Sequence, residues 1–117
     1  MEISRFGTSG TMSQAVVHNG TVYLAGQVAF DGCGADAEQQ TREVLARIDA
    51  LLEGVGSDRT KLLSATIWLR NTEDFGVMNN VWTAWLDGCA APARATVCGV
   101  ELALPGFDVE IMATAAL

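Results

Sequence analysis

The stretch Lys61-Leu62-Leu63-Ser64-Ala65-Thr66-Ile67-Trp68-Leu69 constrains the fold most, being rich in β-branched and large apolar residues and almost unbroken in its apolarity. Alternation is lost when a strand is covered on both faces, so this run predicts a central strand over 61–69. The segments on either side then have to extend the sheet and cover it.

Upstream, Gln14 to Val17 and Thr21 to Ala29 flank His18-Asn19-Gly20, and Asn-Gly between β-rich runs predicts a hairpin. After Asp31-Gly32-Cys33-Gly34, Asp36 stands three residues before Gln39, as in a capping box. Val44, Leu45, Ile48, Leu51, Leu52 and Val55 then recur at helical spacing, which predicts a helix over about 37–54 ending near Gly54-Val55-Gly56. Downstream, Asn71 precedes Asp74 by three, and Phe75, Met78, Val81, Trp82 and Trp85 line one side of a second helix over about 72–86. That aromatic stripe reads as core. Two more strands, near 94–101 and 107–115, surround the turn Leu104-Pro105-Gly106.

The expected order is ββ-α-β-α-ββ: an α+β sandwich with one sheet and both helices on the same face. A chain of 117 residues supports one core, so residues 1–117 are expected to form a single domain. Half of the residues are hydrophobic and the mean hydropathy is +0.25, which predicts apolar surface covered by another copy of the chain.

A net charge of -7, with seven scattered cations, supplies no basic stripe to neutralise phosphates. Nucleic acid and anionic membranes are therefore not expected partners. No apolar run approaches the roughly 18 residues of a membrane span, and Met1-Glu2-Ile3-Ser4-Arg5 lacks the apolar core of a secretion signal, so a cytoplasmic location is expected. Cys33, Cys89 and Cys98 are odd in number and widely spaced, which fits reduced thiols.

Gly32-Cys33-Gly34-Ala35-Asp36-Ala37 matches a dinucleotide fingerprint only loosely, and repeated βαβ units are missing, so it reads as a loop. His18, the single histidine, sits beside a hairpin turn, a poor place for a nucleophile's base. No His, Cys and carboxylate cluster has metal-ligand spacing, and no metal is expected.

Arg94 is the only cation between Asn71 and Leu117, a segment with six carboxylates, and it opens the run Arg94-Ala95-Thr96-Val97. Its planar fork can grip a small carboxylate in two parallel hydrogen bonds; the alternative is a structural ion pair with one of those acids. Glu110, between Val109 and Ile111, is an acid in an otherwise apolar strand. It is either an outward residue of a half-exposed strand or a general acid/base whose apolar setting raises its pKa. On their strands Arg94, Thr96 and Cys98 share one face, as do Asp108, Glu110 and Met112, so neighbouring strands would bring Arg94 and Glu110 into a common site.

Six pieces taken in order are Ser13-Gln14-Ala15-Val16, Ala25-Gly26-Gln27-Val28, Gln40-Thr41-Arg42-Glu43-Val44-Leu45, Asp74-Phe75 with Met78-Asn79, Pro92-Ala93-Arg94-Ala95, and Val109-Glu110-Ile111. Together they resemble the YjgF-type reactive intermediate deaminase family, RidA and its paralogues, over about residues 11–116. The resemblance implies a homotrimer of chorismate-mutase-like subunits with a site in each inter-subunit cleft. It also implies cofactor-independent hydrolysis of 2-imino or 2-enamino acids to 2-oxo acids and ammonia. By the same resemblance Arg94 holds the substrate carboxylate, Glu110 directs the attacking water, and Gly26, Asn79 and Thr96 border the substrate. Met12 stands in Thr11-Met12-Ser13-Gln14 where the family has Pro-Tyr-Ser-Gln, and Met112 replaces a second acid of the final strand. These departures make the pocket more apolar and imply a paralogous branch. A non-catalytic trimeric sensor of a small carboxylate is the alternative, and an endoribonuclease conflicts with the charge balance.

Overall fold

In the computed structural model, which describes residues 2–117, Asn19 (φ 54°) and Gly20 (φ 76°) adopt the paired left-handed conformation of a two-residue hairpin turn. This turn joins β2 (Ala15–His18) to β3 (Thr21–Leu24), in the register His18 opposite Thr21. The expected strand over 21–29 breaks at Ala25-Gly26 and resumes as the short β4 (Gln27–Val28). A further strand, β1 (Ser4–Phe6), pairs with β2. All three of its residues are exposed, so no apolar alternation marks it.

The helix α1 (Ala37–Gly54) has the expected limits, and the Asp36 carboxylate accepts the Gln39 N–H at 2.9 Å. The second helix starts later than expected. Thr72–Asp74 is a 3-10 turn with no side-chain cap from Asn71, and α2 runs Phe75–Trp85. The remaining strands are β5 (Leu62–Leu69), β6 (Ala93–Cys98) and β7 (Val109–Ala116).

All strands join one mixed sheet in the order β1-β2-β3-β7-β5-β6, with β4 also paired to β7. One expectation fails here, and one condition is not met. The strand over 61–69 is not the middle of the sheet: β5 is second from one edge, and β7 is the hub, pairing with β3, β4 and β5. Nor are β6 and β7 neighbours. β5 lies between them, antiparallel to β7 and parallel to β6, and α2 supplies the crossover that a parallel pair requires.

Both helices cover one face of the sheet, as expected. Ala65, Ile67 and Leu69 of β5 pair with Ala113, Ile111 and Val109 of β7, and all of them bury with Val44, Leu45, Ile48 and Leu52 of α1 and Met78, Val81 and Trp82 of α2. The other face is bare. It carries Tyr23, Ser64, Thr66, Trp68, Glu110 and Met112, with Tyr23 48% and Met112 39% exposed. The prediction that 61–69 is covered on both faces therefore fails within one chain: Leu63 and Trp68 make the run look doubly buried, yet both escape the helices. Among the described residues no helix is long and apolar enough to cross a membrane.

Candidate functional site

Arg94 lies opposite Ala65 in the β5–β6 register and so projects to the helix-covered face, toward α2. Phe75, Asn79 and Trp82 sit at i, i+4 and i+7 of that helix and meet it. The guanidinium donates from Nη1 to Asn79 Oδ1 at 2.7 Å, and its carbon stands 5.9 Å from the Phe75 ring centroid and 5.6 Å from that of Trp82. Arg42, Arg47, Arg59 and Arg70 each lie within 4.0 Å of a carboxylate; among the described residues Arg94 has no such partner. Of the two sequence readings, the structural ion pair is thus the one the geometry rejects. Asn79 takes one N–H of the fork, and among the described residues the other donors have no acceptor, which leaves them ready for an outside carboxylate.

Around Arg94 opens a pocket of about 530 Å3, walled by the end of α2 and the loop leading into β6. Trp82, Leu86, Cys89 and Pro92 are among the residues that line it. The aromatic stripe read as core divides: Trp82 is buried and also flanks Arg94, whereas Phe75 is 40% exposed. The spacing of Phe75, Asn79 and Trp82 on one helix face is the signal that could have grouped them with Arg94.

Glu110 is placed elsewhere. It pairs with Trp68 on β5 and Val28 on β4, which puts it on the bare face, opposite in direction to Arg94. Its half-buried carboxyl lies so close over Gly26 that a Cβ there would force the carboxyl to swing aside, so the glycine lets it sit where it does. Burial raises the Glu110 pKa above its ordinary value. The condition for a common site, that the two strands be neighbours, is not met: the intervening β5 and the opposite parity keep the two groups apart within one chain. The structure brings Asn79 to Arg94 and Gly26 to Glu110, but it does not bring the two pairs together.

Thr96 faces the same side as Arg94, opposite Ile67. Its hydroxyl is closed off and has no hydrogen-bond partner among the described residues. Thr96→Val keeps the shape and removes an unsatisfied polar atom, so it should stabilise the protein by about 1 kcal/mol and raise the melting temperature by a few degrees. A fall in calorimetric melting temperature would mean that the hydroxyl is paired in the assembled protein. Met12 is exposed in the turn between β1 and β2, held by Ser9, at the sheet edge remote from Arg94. Among the described residues no three His, Cys, Asp or Glu side chains gather to hold a metal ion.

The family model described as Endoribonuclease L-PSP matches residues 2–117. The RutC family protein YoaB of Escherichia coli K12 is 41% identical over 117 residues, covering 100% of both chains. Among solved structures, a member of the YjgF protein family from Neisseria meningitidis superposes with a TM-score of 0.90 at 44% identity, covering 99% of this chain and 95% of that one. The Rid family protein YyfA of Yersinia pestis gives 0.87 at 34% identity over 94% and 90% of the two chains. With a full-length family match and near-superposable relatives, this chain belongs to the YjgF/RutC/Rid family.

Proposed function

We propose that the protein hydrolyses reactive 2-imino and 2-enamino acids to 2-oxo acids and ammonia in the cytoplasm, without a cofactor, as a homotrimer of chorismate-mutase-like subunits. The observation that carries this reading is the unpaired guanidinium of Arg94, held by Asn79 and two aromatic rings at the mouth of an apolar pocket. Such a group in an acidic chain is a local positive site for one small carboxylate.

In the reaction, an enamine first tautomerises to the imine, whose carboxylate lies on Arg94. Water adds to the carbon of the protonated imine while a carboxylate takes one of its protons, giving a neutral carbinolamine. The carboxyl group returns that proton to nitrogen, then takes the hydroxyl proton as the C–N bond breaks and C=O forms; the 2-oxo acid is left, and the departing ammonia carries the proton away as ammonium, restoring the carboxylate. Glu110 suits this role because burial raises its pKa toward proton-transfer range. Since it points away from Arg94 within one chain, the site is completed between copies, with Glu110 and Gly26 of one subunit meeting Arg94, Asn79 and Thr96 of the next. The bare sheet face bearing Glu110 is the surface such an assembly would cover.

Release of ammonia and 2-oxo acid from freshly generated 2-imino acids, against an uncatalysed control, tests this reading. A folded protein that gives no acceleration overturns it.

One observation favours a second reading, a sensor of small carboxylates: the Arg94 pocket exists in one chain without Glu110. Glu110→Gln separates the two. A hydrolase keeps 2-oxo acid affinity and loses about 10^2- to 10^4-fold in rate; a sensor has affinity unchanged and no rate to lose. The same variant has a pH signature. A raised folded-state pKa means that Glu110 favours folding at low pH, and that this contribution is lost as pH rises through the raised value. Glu110→Gln should therefore melt higher than wild type at pH 7, with the gap closing as pH falls toward 4. A gap independent of pH would show Glu110 to be an ordinary surface acid.

A further inference from the structure

We infer that the side chain of the ligand is apolar and at least as large as a branched four-carbon group, and that the pocket beneath Arg94 is what selects it. This rests on the reading of Arg94 as the carboxylate clamp.

A volume of about 530 Å3 lies within the usual range for small-molecule sites and is several times what a three-carbon acid fills. The walls are mainly apolar, with Asn79 and Thr83 as neutral polar exceptions. Trp82, Leu86, Ala91 and Pro92 present carbon, and Cys89 presents a thiol, which packs as a small hydrophobe. Trp82 also flanks the guanidinium, so a carboxylate on the free edge of Arg94 sets the substituent of the same molecule against the indole and the Leu86 side chain. Asp87 is the charged wall residue besides Arg94, and it repels a second carboxylate. Small, apolar and acidic ligands are thereby ranked: the smallest leave the wall wet, and the acidic ones meet Asp87.

Binding of stable 2-oxo acids reads this selection directly, because they retain the carboxylate and lack the hydrolysable C=N bond. Titration calorimetry with pyruvate, 2-oxobutanoate, 4-methyl-2-oxopentanoate, phenylpyruvate and 2-oxoglutarate should give a gain of about 4-fold per buried methylene. The branched and aromatic acids should bind at least 10-fold tighter than pyruvate, with 2-oxoglutarate below them. Ala91 and Thr83 are exposed residues on two sides of the pocket. Ala91→Trp and, separately, Thr83→Phe should narrow it, weakening the large acids at least 10-fold more than they weaken pyruvate. Two variants on different walls guard against a fault in either one. Affinities flat across the series, or both variants weakening all acids equally, overturn the inference even if imines are hydrolysed. Selective binding without any imine hydrolysis supports the pocket and overturns the deaminase reading instead.

Discussion

Arg94→Ala is expected to lower kcat/KM for 2-imino acid hydrolysis by about 30- to 1,000-fold, because truncating one partner of a desolvated charge pair costs roughly 2 to 4 kcal/mol. The structure sharpens the expectation. Among the described residues Arg94 makes no ion pair, so its removal breaks the Asn79 hydrogen bond and two aromatic contacts but strands no carboxylate. The fold should therefore survive, with thermal melting within a few degrees of wild type, and the loss should fall on ligand affinity and rate. Arg94→Lys should also be poor: an ammonium can meet Asn79 or a carboxylate, but it lacks the planar fork that serves both. Ammonia release measured beside 2-oxo acid titration checks this, and a variant that keeps most of its activity would remove Arg94 from the site. The opposite facing of Arg94 and Glu110 supplies a companion test. If each site takes one group from each of two copies, then Arg94→Ala and Glu110→Gln chains, each inactive alone, should regain part of the activity when coexpressed. Mixed assemblies contain some clefts with both native groups. No recovery from mixed trimers would place both groups in one subunit's site.

The reach of the sequence is clearest at these same residues. Period and turn chemistry located the hairpin at Asn19-Gly20, α1 with its Asp36 cap, and the strands carrying Arg94 and Glu110, because local signals dictate local structure. Strand order is a non-local property. Nothing in residues 93–98 or 109–116 states that β5 runs between them, and so a common face for Arg94 and Glu110 could not be distinguished from opposite faces. Burial of Met78, Val81 and Trp82 on α2 was legible, but not that Phe75 stays exposed or that Trp82 also flanks Arg94, which depends on where the crossover places β6. β1 left no trace, being exposed throughout. Gly26 could be recognised only through resemblance; the physical reason, a carboxyl lying across its α-carbon, is visible only in three dimensions.

Gln40→Leu should be the most destabilising single change outside the apolar core, by roughly 2 to 5 kcal/mol, lowering the melting temperature by about 8 to 20 °C. Gln40 is fully buried on α1 and uses its amide completely for loop backbone. Nε2 donates to Ala35 O at 2.9 Å and Gly106 O at 3.1 Å, and Oε1 accepts the Asp108 N–H at 2.8 Å. Gly106 O keeps a second donor in the Gly34 N–H, so leucine of similar volume would orphan chiefly the Ala35 carbonyl and the Asp108 amide. Each such buried group costs about 1 to 3 kcal/mol, against a total stability of only 5 to 15 typical of a domain. The consequence reaches the site. Asp108 leads directly into β7, two residues before Glu110, and its amide is the point at which α1 fixes where that strand begins. Gln40→Leu should therefore lower the rate more than ligand affinity at temperatures where the protein is still folded, since Arg94 on β6 is anchored independently through α2. Gln40→Glu is the discriminating control: it retains an acceptor for Asp108 and loses the donors to the two carbonyls, so it should restore part of the rate while remaining destabilised. Equal loss of binding and rate in both variants would reduce Gln40 to a general support of the fold.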